Sequence, residues 1–211
     1  EGFHYLLNTP SISMVILMLG FVSLLSLPYV TLLPVYAREV FHGDAATFGY
    51  LNSFVGLGAI GGAFFLASLR PGSRLGKILI INTVLFGAGL LIFSHLTSLP
   101  LALLFLVLTG FGMMSQTTIS NTIIQVAVVP AMRGRVLSYY AMVFFGMQPV
   151  GSLLIGALSQ HAGAARTVLA QGVVTILIAL IFGPLLRRRE LRRKDKMKIE
   201  QLKERSVETT G

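Results

Sequence analysis

From Ile78 to Met132 the chain runs without one Asp, Glu, Lys or Arg. Soluble domains carry charge on about a quarter of their residues, so such a run does not belong on a water-facing surface. It is also far longer than the roughly 20 residues a helix needs to cross the hydrocarbon of a bilayer. The run must therefore turn back on itself. His95-Leu96-Thr97-Ser98-Leu99-Pro100 supplies the turn, with proline near the start of the following helix. Further uncharged stretches cover Ser11 to Ala37, Ala45 to Leu69, Val136 to Ala165 and Thr167 to Leu186. They predict six membrane spans, at 12–36, 48–69, 78–94, 101–129, 136–159 and 167–186. Residues 1–11 read as an interfacial linker, 12–186 as an all-α transmembrane bundle, and 187–211 as a basic tail. A β-barrel is excluded by the lack of apolar/polar alternation. A removable leader is excluded because the first stretch is too long and five more follow. Thr9-Pro10 suits a helix start. The chain begins with Glu1 rather than Met, as expected of a piece of something longer.

The few charges, 12% of the 211 residues, are strongly one-sided. There are 17 Lys and Arg against 8 Asp and Glu, and all but two of the bases, Arg38 and Arg166, fall on one side of the predicted spans. The positive-inside rule makes that side cytoplasmic, so both termini are expected in the cytoplasm. The basic excess is thereby accounted for as anchoring. Arg187 to Arg205 has the composition of a juxtamembrane segment that attracts anionic lipid, at about 1 kcal/mol per basic residue. A nucleic-acid partner is not expected, because the tail has neither a folded reader nor interleaved aromatics.

Enzyme signatures are missing. The chain has no Cys, no His-Glu-x-x-His, no Gly-x-Ser-x-Gly and no Walker loop. Gly56-Leu57-Gly58-Ala59-Ile60-Gly61 matches a dinucleotide fingerprint only on paper, since it lies inside an uncharged span with no strand before it. Gly58 and Gly62 instead form a small-xxx-small face for close helix approach. No catalytic activity, cofactor or metal is expected. No Asp or Glu occurs from Ala45 to Leu186. The carboxylate that usually carries a coupling proton is therefore absent from these spans. His42, His95 and His161 are placed in outer loops, where solvated histidines are the ordinary case.

Four stretches carry a family resemblance. Glu1-Gly2-Phe3-His4-Tyr5-Leu6 precedes a span ending Pro28-Tyr29-Val30-Thr31-Leu32-Leu33-Pro34-Val35-Tyr36-Ala37-Arg38. Phe48-Gly49-Tyr50-Leu51 leads into Gly56 to Gly62. Met132-Arg133-Gly134-Arg135-Val136 opens span five, which contains Gln148-Pro149-Val150-Gly151-Ser152 and then Gly156. In this order they resemble the carboxy-terminal six-helix half of a major facilitator superfamily transporter, of the bacterial enterobactin-exporter and drug-exporter branch. The resemblance implies two inverted three-helix repeats and an amino-terminal six-helix half as partner. It also implies efflux of a small molecule by alternating access, and placement in the inner membrane. One departure stands out. The loop Arg70-Pro71-Gly72-Ser73-Arg74-Leu75-Gly76-Lys77 lacks the Asp common at this place in the family.

The polar residues within the spans are the candidate site. Gln116, Thr117, Thr118, Ser120, Asn121, Thr122 and Gln125 crowd span four. Thr117, Asn121 and Gln125 recur every four residues and so share a helix face. Gln116 and Gln148 lie near the middle of spans four and five. In transporters of this type substrate binds near the midplane between the halves, so these five residues are the candidate substrate contacts. The alternative is interhelical hydrogen bonding, averaging about 0.6 kcal/mol per contact. Pro149 and Gly151 make span five resemble a gating helix, with a static kink as the alternative. Pro28 and Pro34 offer a second bend, at the outer end of span one. Arg133 and Arg135 read either as braces of the cytoplasmic gate or as topology signals alone. A membrane scaffold or binding subunit that transports nothing is the competing reading of the whole chain.

Overall fold

The computed structural model describes residues 6, 9–70 and 73–208, with side chains as far as Leu186 except that of Ser11. Most of the linker at 1–11 and the side chains of the basic tail therefore lie outside the described residues. Among the described residues there are six helices long and apolar enough to cross a membrane, as the charge-free stretches predict.

Helix α1 spans Pro10–Leu25. Thr9 takes the N-cap position without a side-chain cap bond, and Pro10 begins the first turn, where its missing N–H costs nothing. The α-helix stops ahead of Pro28, which has no N–H to give the Leu24 carbonyl. The chain continues as a 3-10 segment Leu27–Leu32, one α-turn Leu33–Val35 and a π-turn Tyr36–Val40. The bend expected at the prolines is thus a full break in the α-helical pattern. Helix α2, Ala45–Ala67, begins at Asp44, whose Oδ1 accepts from the N–H groups of Ala46 and Thr47 at 3.0 and 3.1 Å. These are orphan donors of a first turn. Helices α3, Leu75–Phe93, and α4, Leu99–Ala127, are joined by the predicted turn. A short 3-10 turn, Pro130–Met132, leads into α5, Arg133–Ala162, which runs through Pro149 without interruption. Gly163, with φ +83°, ends α5 in the left-handed region open to glycine.

Helix α6 spans Ala164–Glu208, and its membrane-capable part, Ala164–Leu186, ends where the uncharged stretch does. Charges end a hydrophobic span but not a helix, since Lys, Arg and Glu are good helix formers.

The helices pair in a pattern that ties the first three to the last three. Helix α2 lies on α4, α5 lies on α1, and α3 lies on α6. Each triplet contains three crossings, so the second enters from the opposite side, as inverted repeats require. Every one of these three seams holds a glycine against a neighbouring backbone. A Cβ on Gly58 would overlap the Val107 carbonyl, one on Gly151 the Leu24 carbonyl, and one on Gly87 would lie 2.9 Å from the Gly172 carbonyl. Such contacts are the means by which membrane helices approach closely. The face expected of Gly58 and Gly62 is present, since Gly62 meets the Phe111 carbonyl of α4. Gly156 of α5 faces open space.

Candidate functional site

The polar stretch of α4 separates into two faces with different surroundings. Thr117 and Asn121 are half-buried and Gln125 is exposed. Their hydrogen bonds return to the same helix. Thr117 Oγ1 donates to the carbonyls of Met113 and Met114, both at 3.1 Å, and Gln125 Nε2 donates to Asn121 Oδ1. Ser120 and Thr122 likewise donate to the carbonyls of Gln116 and Thr118. Interhelical bonding therefore does not account for the hydroxyls of Thr117, Ser120 and Thr122. A contact between helices comes from α5 instead, where the Tyr140 hydroxyl donates to the Thr117 carbonyl at 3.1 Å.

Gln116 stands apart from that face. It is 0% exposed, and neither its Nε2 nor its Oε1 has a hydrogen-bond partner among the described residues. It lies one turn after Gly112, whose backbone sits on the Asn82 carbonyl and Phe86 N–H of α3, so its amide points into the α3–α4 seam. Asn82 Oδ1 is also buried there without a partner. A molecule beside the bundle does not reach Gln116 in this conformation.

Gln148 is half-buried on α5, eight residues beyond Tyr140, or about 12 Å along the axis. Since α4 and α5 are antiparallel and Tyr140 is level with Thr117, Gln148 lies near the middle of α5 and Gln125 near the Ala127 end of α4, on opposite sides of that level. Apart from the enclosed Gln116, the candidates thus lie spread along α4 and α5 rather than in one cluster. Pro149 is exposed, whereas Gly151 is buried with the Leu24 carbonyl and Pro28 ring of span one against it. Arg133 and Arg135 are exposed at the start of α5. His42, His95 and His161 are all exposed at the opposite end from those arginines. His95 Nδ1 lies 2.9 Å from the Leu91 carbonyl. Among the described residues no three His, Asp or Glu side chains gather into a metal site.

A bundle of this pairing is matched over residues 1–210 by the family profile described as transmembrane secretion effector. The chain belongs to this major facilitator superfamily family. It is similar to the staphyloferrin A transporter of Staphylococcus aureus, at 30% identity over 177 residues, covering 82% of this chain and 42% of the relative. It is also similar to the enterobactin exporter EntS of Citrobacter koseri, at 26% identity over 193 residues, covering 90% and 46%. A third relative is the multidrug efflux pump Tap of Mycolicibacterium fortuitum, at 24% over 160 residues, covering 76% and 39%. The chain spans less than half the length of these relatives.

As a six-helix half of the major facilitator fold, the bundle also contains polar residues that the sequence reading passed over. Ser26, Gln171 and Thr175 are all at most 2% exposed and hydrogen-bond one another across α1 and α6. Gln171 and Thr175 are four apart, the same spacing that drew notice to α4. The signal was in the chain, but α6 carries it among fewer polar neighbours.

Proposed function

We propose that this major facilitator half is the carboxy-terminal part of a secondary active exporter. Its substrate is a siderophore or an amphipathic drug-like small molecule, moved out of the cytoplasm by alternating access. The six-helix bundle rocks against an amino-terminal six-helix half around a site near the midplane. One observation carries the reading. The Thr117–Asn121–Gln125 face of α4 is only partly covered by the rest of the bundle, with Gln125 exposed and Thr117 and Asn121 half-buried, while its hydroxyl and amide groups bond within their own helix. Uncharged groups of this kind suit a substrate that is itself rich in hydrogen-bonding groups. The exporters among the relatives, one named for a siderophore and one for drugs, favour the same classes.

In this reading the Arg133 and Arg135 end is cytoplasmic, as are both termini, and the membrane is the inner membrane of a bacterium. The tail lies on anionic lipid. No bond of the substrate is made or broken. The coupling carboxylate belongs to the other half, because no Asp or Glu lies between Ala45 and Leu186.

The test is efflux of a fluorescent amphipathic dye and of a catecholate siderophore from cells carrying the full-length protein. Asn121→Ala with Gln125→Ala is expected to lower efflux of at least one of them about tenfold or more, the scale on which unpaired substrate groups are penalised. Gln148→Ala and Gln116→Ala are scored beside it. Undiminished efflux of both probes in all four substitutions combined would remove the α4 wall from the substrate path. No efflux of any probe by the intact protein would favour a scaffold.

A further inference from the structure

Span one breaks between Leu25 and Leu27, in the interior of the bundle, where loose backbone groups are costly. Pro28 gives the Leu24 carbonyl no partner. The Tyr29 N–H, which a regular helix would direct to the Leu25 carbonyl, instead bonds Ser26 at 3.3 Å. Two carbonyls are thus released in a setting without water, each costly if left bare. The neighbouring helices cover both. Gly151 of α5 lies against the Leu24 carbonyl. Gln171 of α6 donates through Nε2 to the Leu25 carbonyl at 3.0 Å. Around that bond the Ser26 and Thr175 hydroxyls lie 2.6 Å apart, and Thr175 Oγ1 donates to the Gln171 carbonyl at 2.6 Å. Gln171 and Thr175 are 2% and 0% exposed.

Beyond the break, the segment Leu27–Val40 is irregular throughout, ending in a π-turn. Its far end is held by ring packing, with Tyr36 4.6 Å from Phe93 between centroids. Its near end is held by the amide and hydroxyls from α6.

We propose that Gln171 and Thr175 form a latch that positions the outer segment of span one, and that releasing it lets Leu27–Val40 move independently of Pro10–Leu25. A proline break alone leaves two free carbonyls and no fixed direction. The latch supplies the direction, because Gln171 and Thr175 hold the Leu25 carbonyl and the Ser26 hydroxyl, the groups from which the segment departs. The purpose of such a hinge rests on the alternating-access reading, but its existence does not, and the measurement needs no substrate.

The full-length protein in lipid nanodiscs, with other cysteines replaced, carries spin labels at Arg38→Cys and Thr97→Cys. Both sites are exposed; Arg38 lies beyond the break and Thr97 in the α3–α4 turn. Pulsed dipolar spectroscopy then reads the distance distribution. Gln171→Leu and Thr175→Val are each expected to raise a second distance population about fivefold to tenfold, the range one hydrogen bond commands. Thr175→Ser, which keeps the hydroxyl, is expected to match the parent. An unchanged distribution in both Gln171→Leu and Thr175→Val overturns the latch, even if their thermal stability falls. So does a Thr175→Ser protein that behaves like Thr175→Val. Thr175→Val, nearly isosteric, keeps the test decisive if Gln171→Leu does not fold.

Discussion

Spans one and five both carry proline in an apolar, glycine-containing stretch, yet they respond to it differently. Pro28 interrupts span one, while α5 runs straight through Pro149. The difference lies in what surrounds each. Span one is the most enclosed crossing, 61% buried over its most apolar window, and the carbonyls near Pro28 meet Gly151 and Gln171. Span five is 11% buried over the corresponding window, and Pro149 faces outward. A proline breaks a membrane helix outright where neighbours take over the released carbonyls. Without such neighbours the helix keeps as many of its own bonds as it can.

The largest effect that would test this comparison is expected at the contact between the two spans. Gly151→Leu puts a side chain into the Leu24 backbone, which cannot yield as a flexible side chain can. We expect a loss of about 3 kcal/mol or more, read as lost monodisperse protein or a much lower Tm. Gly156→Leu, facing open space on the same helix, is expected to be tolerated.

Proline replacement comes next. Pro149→Ala restores an N–H inside a continuous helix and is expected to stabilise the protein by about 1–3 kcal/mol in thermal unfolding. Pro28→Ala is expected to gain much less, because Gln171 of α6 already donates to the Leu25 carbonyl and Gly151 of α5 packs on that of Leu24. Equal gains at both prolines would contradict the account.

A smaller effect separates the buried and uncovered polar faces of α4. Gln116→Leu removes two buried polar atoms that lack partners and is expected to raise stability by about 1 kcal/mol. Gln125→Leu, on the exposed side, is expected to stay within about 0.5 kcal/mol. Chemical denaturation in a fixed detergent compares them.

The smallest effect lies outside the membrane. The Thr47 N–H, with that of Ala46, holds the Asp44 carboxylate below its ordinary pKa. A lowered folded-state pKa means the cap contributes fully above the ordinary carboxylate range. It fades as pH falls through the folded value. The protection factor of the amides in the first turn of α2, taken relative to their intrinsic exchange at each pH, is therefore expected to fall on acidification, and Asp44→Ala to abolish that dependence.

The six crossings were legible because lipid forbids exposed charge and forces each apolar stretch to satisfy its own backbone, so position along the chain suffices to read them. A bend near Pro28 was legible for a related reason, since a missing N–H is a property of the residue, but that it becomes a full break was not. The polar rows were visible too, but their surroundings were not. Asn121 and Gln116 look alike in one dimension, yet one borders open space and the other is sealed against α3. The role of Gln171 and Thr175 was not legible, because their partners, Leu25 and Ser26, lie 146 and 149 residues away along the chain.

The chain by itself determined that this is an apolar six-crossing bundle with one strongly basic side, since transfer free energies act residue by residue. Only the tertiary structure decided which polar groups are enclosed and which proline breaks its helix. Those outcomes depend on what a distant segment brings within hydrogen-bonding range, which is a property of packing rather than of composition or spacing.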